Sequence, residues 1–288
     1  MIGNIKTLPS IIPGILFLIL LISCNGNRIR YTPRGYNITK PQTMNLGTRL
    51  DEISGICWVS DSIILANNDE SGRIFAINIM EPGNLDYTNV KFGEKDDYED
   101  IVKVDSAIYL LVATGKIVRV MNYQDETNIQ AETVAELPGV ENEFESLYYD
   151  KDINSLIMVC KDCHREKNKI RSAYRYDLSS NKLIDSPYYQ IQMDQIRKIT
   201  EDAEVDFRPS AASINPMDKK VYLVSSIGKL MVVVNAKTGK VEQAFGISAL
   251  LFPQPEGITF SDKGDMFISN EIASEQAATI HKFRYTKP

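Results

Sequence analysis

The sequence contains 288 residues, of which 43% are hydrophobic and 24% are charged, a composition that excludes wholesale disorder and collagen-like repeats. The net charge is -6, from 38 acidic and 32 basic residues, and there is no long basic run, so we do not expect a nucleic acid partner. The chain has only two histidines, His164 and His281, which makes most histidine-based catalytic centres hard to build.

The first 23 residues predict an export signal. Lys6 provides a positive charge, and residues 11–22 form an apolar run that is shorter than the roughly 20 residues needed to span a bilayer but suits a signal-peptide core. The run ends in Leu21-Ile22-Ser23-Cys24, which resembles the bacterial lipobox, where the cysteine is lipidated and becomes the new N-terminus. A plain secretory signal with a chance cysteine is the alternative.

Residues 24–41 are polar and are interpreted as a lipidated tether, and residues 42–288 as a single folded domain. Lipidation of Cys24 would attach the mature protein to a membrane. We therefore predict a lipoprotein of the bacterial cell envelope that faces the periplasm or the cell exterior.

Three further cysteines follow the lipobox. Cys57 lies in an apolar strand-like run and is expected to be a small buried hydrophobic residue rather than a reactive thiol. Cys160 and Cys163, followed by His164, form the CxxCH pattern of covalent haem attachment. Because the pattern sits at a strand end and no neighbouring segment resembles a helical haem pocket, we do not expect haem. A local disulfide and two free thiols at a loop both remain open.

A short pattern recurs five times: an acidic or polar residue is followed closely by an apolar strand. The first residues of successive copies are separated by 47, 46, 65 and 46 positions. The long third interval contains residues 193–204, an insertion that is predicted to be helical. The five copies are Glu52-Ile53-Ser54-Gly55-Ile56, Glu99-Asp100-Ile101, Glu145-Ser146-Leu147, Ser210-Ala211-Ala212 and Glu256-Gly257-Ile258.

Each copy continues into a second and a third strand, and four copies continue into an outer fourth strand. The fifth copy ends before a fourth strand, and residues 42–46 provide a candidate replacement. Four strands at a period near 46 residues predict an all-β fold, a five-bladed β-propeller closed by its N-terminal strand. Six blades are the alternative, but the third interval is longer by only about 19 residues, too few for four more strands.

The repeated acidic residues predict a ring around the central channel, because the innermost strand of each blade lines that channel. Four close carboxylates repel one another unless some are protonated or a cation lies among them. The available ligands are oxygens, which favours a hard cation such as Ca²⁺. Neutralisation by Lys161, by protonation and by water is the alternative. The ring consists of Glu52, Glu99, Glu145 and Glu256 with Ser210 at the fifth position, and the nearby polar strand ends are Asp69, Glu70, Asn270 and Glu271.

Four segments carry a family resemblance: LDEISGICW, ILANNDESGRIFAINI, FESLYYD and LFPQPEGITFSDKGDMFISNE. In this order and spacing, over residues 50–285, they resemble the SdiA-regulated (YjiK-like) family of exported bacterial β-propellers. That family is similar to phytase-like and lactonase-type propellers, and the resemblance implies a calcium-associated site in the channel. Ser210 departs from the acidic pattern. The implied metal ligands in this sequence are Glu52, Asp69, Glu70, Glu99, Glu145, Glu256 and Glu271.

Two functions fit these features. One is a non-catalytic binding module whose channel binds Ca²⁺ and whose loops hold a ligand or an envelope protein. The other is a phytase-like or lactonase-like hydrolase, with a carboxylate as general base and the cation as Lewis acid. A phytase-like enzyme needs basic residues for its highly charged substrate. The channel positions offer only Lys161, with Arg73 and Lys116 at the starts of third strands, and this shortage favours the binding module.

Overall fold

The computed structural model describes residues 1, 32–80, 87–138, 142–164, 166, 168–273 and 277–288. Cys24 and nearly all of the predicted signal peptide lie outside these residues. Among the described residues, no helix is long and apolar enough to cross a membrane.

The elements, besides a 3-10 turn (Thr48–Leu50), are β1 (Gln42–Asn45), β2 (Ile53–Ser60), β3 (Ile63–Asn68), β4 (Arg73–Asn78), β5 (Tyr87–Lys91), β6 (Tyr98–Val104), β7 (Ala107–Val112), β8 (Lys116–Met121), β9 (Gln130–Glu136), β10 (Asn142–Asp150), β11 (Ser155–Cys163), β12 (Ile170–Asp177), β13 (Lys182–Gln192), α1 (Met193–Thr200), β14 (Ala211–Ile214), β15 (Lys220–Ser225), β16 (Leu230–Asn235), β17 (Val241–Gly246), β18 (Pro255–Phe260), β19 (Met266–Asn270) and β20 (Thr279–Phe283).

The strands form five four-stranded antiparallel sheets, which are the blades of a five-bladed β-propeller. Blades 1 to 4 are β2–β5, β6–β9, β10–β13 and β14–β17, and blade 5 is β18, β19, β20 and the N-terminal β1. The predicted fold and its closing strand are therefore confirmed. The six-bladed alternative is wrong, because the insertion after blade 3 forms the helix α1, which contacts β17, instead of further strands.

The blades are held together by apolar packing between their faces. The second strand of blade 2, β7, reads Ala-Ile-Tyr-Leu-Leu-Val and is buried along its whole length. The outer strand β9 is mostly exposed and reads Gln-Ala-Glu-Thr-Val-Ala-Glu. This gradient arises because inner strands lie between two neighbouring blades, whereas an outer strand leaves much of its surface in water.

At least one side-chain hydrogen bond ties each blade to the next near the channel. Such bonds satisfy polar groups that the packing of the inner strands would otherwise bury without partners. The Ser210 hydroxyl takes part in one of them, which explains why this ring position departs from the acidic pattern. The five donor-to-acceptor pairs are Asn67 Nδ2 to Tyr98 O (2.6 Å), Leu147 N to Asp100 Oδ2 (2.7 Å), Ser146 Oγ to Pro209 O (3.4 Å), Ser210 Oγ to Pro255 O (2.5 Å) and Ser269 Oγ to Ser54 O (2.9 Å).

The packed part of the chain begins before β1. Tyr36 and Ile38 are buried in the apolar cluster that blades 4 and 5 share. The Tyr36 hydroxyl donates to the Gly264 carbonyl at 2.6 Å and accepts from Asn215 Nδ2 at 2.8 Å. The tether predicted to reach residue 41 therefore ends earlier in the structure, because these apolar side chains bind to the domain.

Candidate functional site

Three inner strands carry a β-bulge where the strand begins, and the extra residue of each bulge is a glutamate. The pairing with the second strand skips Glu99 in blade 2, Glu145 in blade 3 and Glu256 in blade 5. A bulge leaves its extra residue outside the ladder and redirects the side chain. The structure therefore places these three predicted residues at equivalent positions at one end of the channel.

Blade 1 differs from the sequence interpretation. The residue at its bulge position is Ser54, and Glu52 lies two residues earlier in the chain. Gly55, next to this position, allows blade 1 to approach blade 2 closely, because a Cβ atom there would lie 2.4 Å from Oδ1 of Asp100. An alignment of the repeats on Glu52 therefore places blade 1 two residues out of register with the other blades.

Glu52 belongs to a second row of polar residues, which lies two residues before the bulge. Its carbonyl accepts the main-chain N–H of Asp69 at 3.3 Å, as the Asp97 carbonyl accepts that of Ala113 at 2.9 Å in blade 2. Glu143 has the same relation to the bulge in blade 3. Asp97 and Glu143 were not among the predicted site residues, although each lies two positions before a bulge glutamate; the corresponding residue before Glu256 is the neutral Gln254.

The remaining predicted ligands lie just after second strands, whose ends face this row. They differ in how deeply they are buried. Asp69 and Glu271 follow β3 and β19 at equivalent positions, and both are partly buried. Glu70 has an exposed side chain, with 67% of its surface accessible, and pairs with Lys95 at 3.2 Å. Of the seven predicted ligands, Glu70 alone is therefore placed at the surface of the rim.

The first cluster, which we call the lysine-paired group, consists of Glu99, Glu145, Glu256 and Lys161. Burial, followed by repulsion from Glu145, raises the pKa of Glu99 to about 10 and that of Glu256 to about 8. Burial raises the pKa of Glu145 to about 7 against the attraction of Lys161. The Lys161 ammonium is paired with Glu145, and with Glu143 at 2.9 Å, so protein charge neutralises part of this group.

The second cluster, which we call the blade 5–1 group, consists of Glu52, Asp69 and Glu271. Burial, followed by repulsion from Glu52, raises the pKa of Asp69 to about 6. Burial, followed by a hydrogen bond with Glu52, raises the pKa of Glu271 to about 8. The charges that dominate the environment of Asp69 are carboxylates, so this group lacks the compensation that Lys161 gives to the first one.

Buried oxygens without hydrogen-bond donors occur at the same strand ends. Within the described residues, Oδ1 of Asn67, Asp69 and Asn270 each lack a partner. The two amide groups are oriented by their own donors, since Asn67 Nδ2 donates to Tyr98 O at 2.6 Å and Asn270 Nδ2 to Thr279 Oγ1 at 3.3 Å. A buried unpaired acceptor costs about 1–3 kcal/mol, which a donor or a cation would recover.

These oxygens suit Ca²⁺ better than a small, rigidly coordinated ion. In the described part of the chain, no three carboxylates of the two groups bring oxygens within 4.8 Å of one another. Ca²⁺ takes six to eight oxygen ligands in flexible geometry and accepts carbonyl oxygens and water. The donor atoms present, carboxylate and amide oxygens, are therefore of the type that this ion takes.

The five four-stranded sheets define a five-bladed β-propeller. Comparison with solved structures supports the β-propeller fold. The chain is similar to a glutaminyl cyclase from Myxococcus xanthus, with 13% identity, a TM-score of 0.56, and coverage of 86% of this chain and 95% of that chain. It is also similar to a luciferin-regenerating enzyme, with 10% identity, a TM-score of 0.50, and coverage of 85% and 95%. A Bacteroides thetaiotaomicron protein of unknown function has 14% identity, a TM-score of 0.52, and coverage of 76% and 52%.

Identities this low show a shared fold and no more. No protein-family model matches the sequence, and no curated protein matches it. The β-propeller class is therefore confirmed, and the SdiA-regulated family stays a prediction from the quoted segments.

Proposed function

We propose that this protein is a lipid-anchored propeller of the bacterial cell envelope that binds Ca²⁺ at one end of its channel and acts as a ligand- or partner-binding module. The observation that carries the proposal is the blade 5–1 group, in which partly buried, mutually repelling carboxylates have no lysine partner among the described residues. The unpaired oxygens of Asn67 and Asn270 add neutral ligands beside it. The resemblance to the SdiA-regulated family supports the same ion.

Three basic side chains at this end of the channel already have partners, and one of them, Lys229, donates from Nζ to the Pro253 carbonyl. Lys161 pairs with Glu145, and Arg208 pairs with Asp162 at 2.9 Å and with Asp206 at 3.0 Å. A phytase-like site would need free cations to hold a highly charged phosphate ester. This arrangement therefore supports cation binding over phosphoester chemistry.

A metal-dependent hydrolase is the second candidate, and one observation favours it. Glu99, with a pKa of about 10, keeps its proton at neutral pH and lies within electrostatic reach of Glu145, whose pKa is about 7. Two carboxyls with separated pKa values can serve as an acid and a base. Calcium-dependent hydrolysis of a phosphoester or a lactone, lost in Glu99→Gln, would establish this function.

Calcium should stabilise the folded protein, because the unfolded chain scatters the ligands. A Ca²⁺ concentration a hundredfold above Kd adds about 2.7 kcal/mol, which for a domain of this size corresponds to a Tm rise of about 5–10 °C. Asp69→Asn and Glu271→Gln should each remove most of this rise, as measured by differential scanning calorimetry. The metal-free variants should be no less stable than the metal-free wild type, since each substitution relieves repulsion.

Glu132→Gln provides the matched control for this experiment. Glu132 lies on the outer strand β9, where it pairs with Arg119 away from the channel, so the calcium-dependent rise should be retained. The absence of a rise in wild type, together with a large loss of metal-free stability in Asp69→Asn, would mean that the group is a self-contained polar network. In that case the calcium site and the metal-dependent hydrolase are both wrong.

The lipid anchor rests on the motif that ends in Cys24. We expect Cys24→Ser to give a protein that is not lipidated and no longer sediments with membranes. The measurement is membrane fractionation with a high-salt wash, compared with Cys57→Ser, which lies within blade 1 and should sediment like wild type. A Cys24→Ser protein that stays with washed membranes would contradict the proposed attachment.

A further inference from the structure

The third cluster of reactive groups lies outside the channel, at the end of β11. Cys160 and Cys163 form a disulfide with their Cα atoms 6.1 Å apart. Cys160 is completely buried, and 5% of the Cys163 surface is accessible. The disulfide is one of the two alternatives that the sequence left open, and the function proposed for the channel makes no use of it.

Glu166 lies beside this disulfide in the turn that connects β11 to β12. Its main-chain N–H donates to the Cys163 carbonyl at 2.8 Å. Only 6% of the residue surface is accessible. One carboxylate oxygen, Oε1, accepts the Ser172 N–H at 3.0 Å, whereas the buried Oε2 has no hydrogen-bond partner among the described residues.

These three side chains could ligate one metal ion. The two sulfur atoms and a Glu166 carboxylate oxygen all lie within 4.8 Å of one another. While the sulfurs are joined, they are poor ligands, because metal ions bind thiolates. Once separated, they would offer two thiolates and a carboxylate, a donor set that suits Zn²⁺ and leaves its fourth tetrahedral position open.

We propose that reduction of the Cys160–Cys163 disulfide creates a Zn²⁺ site formed by Cys160, Cys163 and Glu166. A dithiol reductant supplies the two electrons and two protons that convert the disulfide into two thiols, and the reductant itself becomes a disulfide. Binding of Zn²⁺ then releases the two thiol protons to solvent. Oε2 of Glu166, unpaired in the oxidised protein, gains the ion as its partner.

A cavity gives both reagents access to the site. Its volume is about 500 Å³, and Cys163 and Glu166 line it together with Asn142, Ser172 and Gln190. The thiolate of a dithiol entering from the cavity would attack Cys163, form a mixed disulfide with it, and release Cys160 as the leaving thiolate. The second thiol of the reductant then resolves the mixed disulfide. The open coordination position of the bound metal would face the same cavity.

Cobalt titration tests this proposal, because Co²⁺ reports thiolate ligation through a charge-transfer absorption band. The purified protein is reduced with dithiothreitol, desalted without oxygen, titrated with Co²⁺, and then titrated with Zn²⁺. We expect the reduced protein to develop the band at one equivalent of Co²⁺ and to lose it when Zn²⁺ is added. The oxidised protein should show no band, and one that does would overturn the redox gating.

Matched variants assign the ligands. Cys160→Ser and Cys163→Ser should abolish the band, whereas Cys57→Ser, at the remaining free cysteine of the described chain, should keep it. Glu166→Gln should weaken Co²⁺ binding by at least roughly 10–100-fold, the range that loss of supporting groups costs in metal sites. Glu132→Gln should bind Co²⁺ as tightly as the wild type. If a cysteine variant fails to fold, alkylation of the reduced wild type provides the equivalent test, and Co²⁺ binding that survives alkylation would overturn the proposal.

Discussion

Met44→Asp should strongly destabilise the folded protein. Met44 lies in the closing strand β1 opposite Ile280, with 1% of its surface accessible, and it packs in the apolar cluster of blades 5 and 1. An unpaired carboxylate at this position loses its hydration and also opens the contact that closes the ring. We expect a loss of at least about 4 kcal/mol, a large share of the 5–15 kcal/mol that a typical domain has.

Urea unfolding followed by fluorescence measures this loss, since Trp58 in blade 1 is the only tryptophan of the chain. Asn45→Asp is the matched control, because it introduces the same charge at the exposed neighbouring position of the same strand. Its free energy of unfolding should stay within about 0.5 kcal/mol of wild type. Equal losses in the two variants would mean that general charge effects, and not burial in the closing strand, determine the result.

The blade arrangement was predictable because each blade repeats the same chemical requirement. Two buried strands need apolar residues, and the turns between them need polar ones, so the pattern returned about every 46 residues. The outer strands were harder to predict. The fourth strand of blade 3, β13, spans Lys182–Gln192. Its first half has largely polar, exposed residues and pairs with β12 across a bulge, so its sequence lacks the alternation that marks a half-buried strand.

The site was predictable in residue type but not in register. The sequence showed acidic residues at nearly constant spacing, but a β-bulge adds one residue without changing composition, so Glu52 was aligned with Glu99 instead of with Asp97. Burial is also a property of the assembled ring. Nothing near Glu70 distinguishes it from Asp69 in the sequence, yet neighbouring strands cover Asp69 and leave Glu70 in solvent. The buried amide oxygen of Asn67 likewise depends on a contact with blade 2.

The metal-free protein should lose stability as pH rises from about 6.5 to about 8. The pKa values of Asp69, Glu145, Glu256 and Glu271 are raised to about 6, 7, 8 and 8 in the folded state. At pH values between its ordinary pKa and its raised pKa, each of these carboxyl groups is protonated in the folded protein but ionised in the unfolded chain. The free energy of unfolding therefore falls by about 1.4 kcal/mol per pH unit for each such proton, and it levels off above the raised value.

Two comparisons isolate this effect. Burial lowers the pKa of His281 from 6.5, which makes stability rise with pH in the acidic range, so the clearest window is from pH 6.5 to 8. In that window Glu271→Gln should reduce the slope of the free energy of unfolding against pH, measured by urea unfolding, because glutamine needs no proton; Glu256 and Glu99 keep the remaining slope. Saturating Ca²⁺ should reduce the slope as well, since the ion favours the ionised carboxylates of the blade 5–1 group and its binding releases protons. Calorimetric titration in two buffers with different ionisation enthalpies measures that release directly. Stability that rises with pH across this window in the metal-free wild type would show that the carboxylates are already compensated by protein charge, and the group would then have no need of a cation.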